Sequence, residues 1–94
     1  MAAVIPDIVE ETSEETQIIP PARVILYNDD WHSFDDVIRQ LMKAVKCSAE
    51  EGERHAWIVH TQGRSRVFDG KREDCERVAG VLREIRLHVE VDWD

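Results

Sequence analysis

A chain of ninety-four residues with a formal net charge of −8 holds one domain and argues against a nucleic-acid partner, because phosphates require a basic footprint. It has no apolar run long enough to span a membrane and no secretory leader, which points to a cytoplasmic chain with no membrane partner. The two cysteines, Cys47 and Cys75, lack CxxC spacing and read as reduced thiols rather than a disulfide or a zinc pair.

The first 21 residues carry Asp7, Glu10, Glu11, Glu14 and Glu15 with no Lys or Arg, so five of the eight net negative charges lie there. This composition predicts a disordered acidic N-terminal extension over residues 1–21. Pro20-Pro21 closes it, since a Pro pair cannot continue a helix. Residues 22–94 form the core domain.

Residues 22–27 (ARVILY) are β-rich and end at Asn28-Asp29-Asp30, which predicts a strand. Ser33 then reads as an N-cap with Asp36 three residues on. Phe34, Val37, Ile38, Leu41, Met42 and Val45 recur on one helical face, and the helix is expected to stop near Lys46. Ser48-Ala49-Glu50-Glu51 is a capping box that starts a second helix. That helix sets Gly52, Ala56, Val59 and His60 along one side, with Trp57 and Ile58 partly round from it, and Gly63 takes the left-handed position at its end.

A short strand is expected at 64–68, followed by a turn at Asp69-Gly70. A third helix over 71–85 presents Cys75, Val78, Ala79, Leu82 and Ile85 on one face. Residues 86–93 alternate: Leu87, Val89, Val91 and Trp93 face one way, and Arg86, His88, Glu90 and Asp92 the other. The order β-α-α-β-α-β predicts an α+β fold, a small antiparallel three-stranded sheet covered on one face by three helices.

The Asn28-Asp29-Asp30 cluster has two readings. One is a plain strand-to-helix turn, for which Asn and Asp are common. The other is a site that needs acceptors: three acceptor side chains in a row repel one another, and no Lys or Arg lies within several residues to offset them. Such a site suits a cation or a donor-only group such as an ammonium. His60 likewise reads either as a half-exposed histidine near a helix C-terminus or as an acceptor set beside small apolar residues. Asp30, His32 and His60 are an alternative metal set without a clear fourth ligand. Nucleophilic catalysis by Cys47 or Cys75 has no local motif, and no Gly-rich phosphate loop is present, so no enzyme activity and no cofactor are expected.

Val24-Ile25-Leu26-Tyr27-Asn28-Asp29-Asp30, followed about thirty residues later by Val59-His60-Thr61-Gln62-Gly63, resembles the ClpS family of adaptors for the AAA+ protease ClpAP. The similarity covers roughly residues 22 to 92, and the motifs fall in the right order on the right predicted elements. The resemblance implies an adaptor for N-degron substrates. It would hold a free α-amino group and a large apolar first residue (Phe, Tyr, Trp or Leu) and deliver the substrate to a ClpA-like unfoldase for degradation. By motif position it implies that Asn28, Asp30 and His60 contact the amine, with Asp29 supporting or shaping the loop. It also implies that His32, Phe34, Val37, Ala56, Val59 and Leu87 form the apolar pocket.

Four positions depart from the family pattern. His32 stands for a usual Thr, Phe34 for the Met that gates the pocket, and Ala56 for a large lining residue. Ser33 also replaces a common Pro. A pocket is expected, with an altered order of preference; the alternative is a ClpS-like interaction module whose N-degron specificity has changed or been lost.

Overall fold

A computed structural model describes residues 22–93 of the chain; the acidic extension at 1–21 lies outside the described residues. Strand β1 (Ala22–Tyr27) leads through a loop to helix α1 (Phe34–Val45) and helix α2 (Ala49–Gln62). Strand β2 (Arg64–Gly70), helix α3 (Arg72–Leu82), a 3₁₀ turn (Arg83–Ile85) and strand β3 (Val89–Trp93) complete it. The sheet order is β2-β1-β3, with β1 antiparallel to both neighbours. The fold is α+β.

The caps explain where the helices begin and end. Ser33 Oγ accepts from the Asp36 N–H and Ser48 Oγ from the Glu51 N–H, each at 3.1 Å. Each bond satisfies one of the donors that a helix start leaves unpaired. Helix α1 ends at Lys46, which takes a left-handed φ of 64° without being glycine. Helix α2 ends at Gly63, with φ 92°, where its N–H bonds back to the Val59 carbonyl.

Alternation along β1 buries Ala22, Val24 and Leu26 completely or nearly so. They meet Leu41 and Ala44 of α1, Val59 of α2, Cys75, Val78, Ala79 and Leu82 of α3, and Leu87 and Val89. Helix α3 lies across all three strands, α2 leans on β2, and α1 packs on the two other helices. Gly52 permits the α1–α2 contact: a Cβ there would stand 3.3 Å from Ile38 Cγ2 and 3.4 Å from the Ile38 carbonyl.

Three boundaries differ from expectation. Strand β2 runs on through Asp69-Gly70, the expected turn, because Ala22 and Arg23 pair with them. A bulge makes this possible: Val24 faces Phe68 while Ile25 faces Arg66, so Val67 is an extra residue and turns inward, buried. The third helix tightens to a 3₁₀ turn at Arg83, and Arg86, at φ 65°, reverses the chain. The last strand therefore starts only at Val89. Trp93 is 42% exposed, beyond the edge of the core, with the Arg72 guanidinium 3.8 Å above its ring.

Candidate functional site

The loop after β1, the facing sides of α1 and α2, and the segment before β3 converge on one cavity of about 60 Å³. Leu26 and Tyr27 from β1 form part of its lining, with Asn28, Asp29 and His32 from the loop. Phe34 and Val37 come from the first turn of α1, Ala56, Val59 and His60 from α2, and Leu87 from the approach to β3. Helical spacing explains the grouping. Ala56, Val59 and His60 stand at i, i+3 and i+4, and Phe34 and Val37 at i and i+3, so each set shares a face.

Two backbone bonds fix the loop at its start. The Tyr27 N–H donates to the His88 carbonyl and the Asn28 N–H to the Gly63 carbonyl, both at 2.9 Å. The second joins the Asn-Asp-Asp segment to the end of the helix that carries His60. Two motifs some thirty residues apart in the chain thus meet through one hydrogen bond.

Asp29 organises the rest of the loop. Its Oδ1 accepts from the N–H groups of Trp31 (3.1 Å) and His32 (3.0 Å), and its Oδ2 lies 2.7 Å from His32 Nδ1. Three of the roughly four acceptor sites of a carboxylate are used within the loop. Burial opposes ionisation of Asp29, but these bonds outweigh it and hold the carboxyl below its ordinary range. The other ring nitrogen of His32, Nε2, bonds the Ile85 carbonyl in the 3₁₀ turn. Burial likewise disfavours the charged ring, yet Asp29 and the Ile85 carbonyl raise the His32 pKa above the usual histidine value. The Trp31 ring, 62% exposed, lies over the imidazole at 3.9 Å between centroids.

The mouth is aromatic. Phe34 and Trp57 meet edge to face at 5.3 Å, and the His60 ring stands edge-on to both, 6.3 Å from Phe34 and 6.0 Å from Trp57. His60 is exposed, in the last turn of α2.

Of the residues singled out from sequence, Asn28, Asp29, His32, Phe34, Val37, Ala56, Val59, His60 and Leu87 are brought together on this cavity. Asp30 is exposed and is not part of the lining. The alternative metal set of Asp30, His32 and His60 does not assemble. Among the described residues no three His, Cys, Asp or Glu side chains converge to hold an ion, and both nitrogens of His32 already face acceptors. Leu26, Tyr27 and Trp57 were not foreseen at the site. Leu26 is legible as the last inward residue of β1, and Trp57 as the i,i+3 neighbour of His60. The Ile85 carbonyl carries no side-chain signal at all.

Fold and cavity together define a small α+β module with a cavity lined by apolar side chains and by acceptors. The chain belongs to the ClpS family, described as ATP-dependent Clp protease adaptor protein ClpS, which matches residues 18–89. The structure of Agrobacterium tumefaciens ClpS2 bound to L-phenylalaninamide shares the fold, with a TM-score of 0.75 at 21% identity over 80% of this chain and 98% of that one. Curated relatives include the mouse E3 ubiquitin-protein ligase UBR1, 31% identical over 95% of this chain and 6% of the ligase. The Caenorhabditis elegans ligase ubr-1 is 34% identical over 72% of this chain and 3% of its own length. The chain thus spans only a few per cent of the length of these ligases. Among the described residues no helix is long and apolar enough to cross a membrane.

Proposed function

We propose that this chain is an adaptor that recognises the free α-amino group and apolar first residue of N-degron proteins and delivers them to a ClpA-like unfoldase of a Clp protease. The observation that carries the reading is that Asn28 and His60 line the same cavity as Val37, Ala56, Val59 and Leu87. Acceptors and an apolar wall together match a polypeptide's leading end, which presents a donor-only ammonium one carbon away from its first side chain. The phenylalaninamide bound by the Agrobacterium relative has this chemistry. The delivery step rests on the family's description as a Clp protease adaptor.

In this reading Asn28 Oδ1 and a neutral His60 nitrogen accept from the ammonium, and exposed Asp30 adds negative charge nearby. Asp29, its oxygens engaged in the loop, shapes the site and does not grip the amine. Hydrogen bonds to a charged group contribute about 1.5–3 kcal/mol each, and burying a Leu or Phe side chain a similar amount. After ordering costs, this fits a Kd of about micromolar.

Cavity size bears on the first residue. The space is about 60 Å³, whereas an engineered cavity that admits benzene measures about 150 Å³. A Phe or Leu side chain therefore enters only if a wall yields. Half-buried Phe34, held by one edge-to-face contact to Trp57 and one to His60, is the wall residue that swings out.

The test is fluorescence anisotropy with a panel of peptides differing only at the first residue, each free or N-acetylated. Free Phe- or Leu-led peptides are expected to bind, and acetylation, which removes the charge and two of the donors, to weaken them by about tenfold or more. Equal binding of acetylated peptides, or no dependence on the first side chain, would overturn the reading.

A further inference from the structure

His32 stands where both of its ring nitrogens meet an acceptor: the Asp29 carboxylate at Nδ1 and the Ile85 carbonyl at Nε2. A neutral imidazole donates from one nitrogen only and would turn a lone pair toward the other acceptor; only the doubly protonated ring satisfies both. The two acceptors belong to two different segments beside the cavity. Asp29 sits in the loop that begins with Asn28, and Ile85 ends the turn from which Leu87 follows.

We propose that His32 is a cationic positioning residue: as an imidazolium it ties the Asn28 loop to the Ile85–Leu87 segment and holds the two in register.

The surroundings fit a retained charge. Its side chain is only 5% exposed, roofed by Trp31, and its counter-charge is 2.7 Å away. The ionisable groups around it are Asp29 in its own loop, Asp36 on α1, and Tyr27 and His60 across the cavity on β1 and α2. The two carboxylates favour the cation, and the raised pKa agrees with the geometry. Gln40 and Lys43 of α1 already anchor this region, Gln40 through the Val81 carbonyl at the end of α3 (2.6 Å) and Lys43 through Glu84 in the 3₁₀ turn (2.8 Å). That end is therefore fixed, and because the Asn28 N–H pins the start of the loop to Gly63, the part of the loop beyond Asn28 is what moves when the tie is lost.

That His32 is a cation rests on geometry alone; that losing its charge weakens ligand binding rests on the reading under Proposed function. Two measurements keep these separate. The first is a ¹H–¹⁵N titration of the unliganded protein through its imidazole nitrogens. His32 is expected to give two protonated-type nitrogen shifts at pH 6 and to lose one at a pH above the ordinary histidine range. Neutral-type shifts at pH 6 overturn the proposal whatever the ligand.

The second measurement compares the parent with His32→Gln, which cannot be cationic, using a free Phe-led peptide from pH 6 to 9. The peptide amine deprotonates in this range for both proteins, so the readout is the ratio of their affinities. The parent should bind about tenfold more tightly at pH 6, and the ratio should shrink towards unity as pH rises through the His32 transition. A constant ratio across the range overturns the positioning role. If neither protein binds the peptide, the binding reading fails, and the nitrogen titration alone decides the charge. If His32→Gln does not fold, His32→Asn serves in the same comparison and the titration of the parent still stands.

Discussion

At the scale of single residues the cavity separates groups proposed to meet a ligand from groups that brace the loop. Asn28 and His60 border the cavity with polar atoms available for a ligand, whereas Asp29 and His32 are occupied with one another. Linkage sets the pH dependence of that brace. The folded-state pKa of His32 is raised, so its contribution to stability is full below the ordinary histidine value and is lost as pH rises through the folded one. The Asp29 pKa is lowered, so its contribution is present above the ordinary carboxylate value and is lost as pH falls through the folded one. Between these limits Asp29→Asn is expected to cost about 1–3 kcal/mol, because it removes a charged partner from a buried ring. In urea unfolding the gap between parent and variant should be widest near pH 6 and should narrow on both sides. A gap that stays constant from pH 3 to 9 would mean that Asp29 contributes only shape.

At the scale of elements, the end of α2 does two jobs. Gly63 stops the helix in a conformation that L side chains rarely adopt, and its carbonyl receives the Asn28 N–H. No neighbour lies within 4 Å of a Cβ built there, so Gly63→Ala meets backbone strain and no clash. It should cost about 1–2 kcal/mol. Because the strain falls on the carbonyl that holds Asn28, peptide affinity should fall as well. A thermal melt and an anisotropy titration on the same variant check both parts. An unchanged Tm would show that the turn accommodates alanine.

At the scale of the whole molecule, the core and the cavity share Leu26, Val59 and Leu87 but are not the same thing. Leu41 is fully buried on α1, in the core and outside the cavity lining. Leu41→Ala should destabilise by about 2–5 kcal/mol through lost burial and the void left behind. Provided the variant remains folded at the assay temperature, affinity per folded molecule should stay within about twofold of the parent, since Leu41 supplies no part of the lining. Chemical denaturation paired with a peptide titration tests this; a large affinity loss in the folded fraction would mean that the cavity depends on packing throughout the domain.

Much of this fold is written locally. The N-caps at Ser33 and Ser48, the apolar faces of α1 and α3, the glycine at the end of α2 and the inward alternation of β1 are all short-range patterns, legible because capping and periodicity act within a few residues. Spacing also sets Ala56, Val59 and His60 on one helical face and Phe34 and Val37 on another, but that these faces enclose a cavity with the Asn28 loop and Leu87 was implied only by the resemblance to the ClpS family. What the chain could not disclose was decided by contacts distant in sequence. The Val67 bulge extends β2 through an apparent turn, since pairing with Ala22 and Arg23 outweighs the turn preference of Asp-Gly. The division of labour among Asn28, Asp29 and Asp30, three similar acceptors in a row, rests on which of them the loop turns inward onto His32. The charge assigned to His32 depends on a backbone carbonyl 53 residues away, at Ile85, which no side-chain pattern announces.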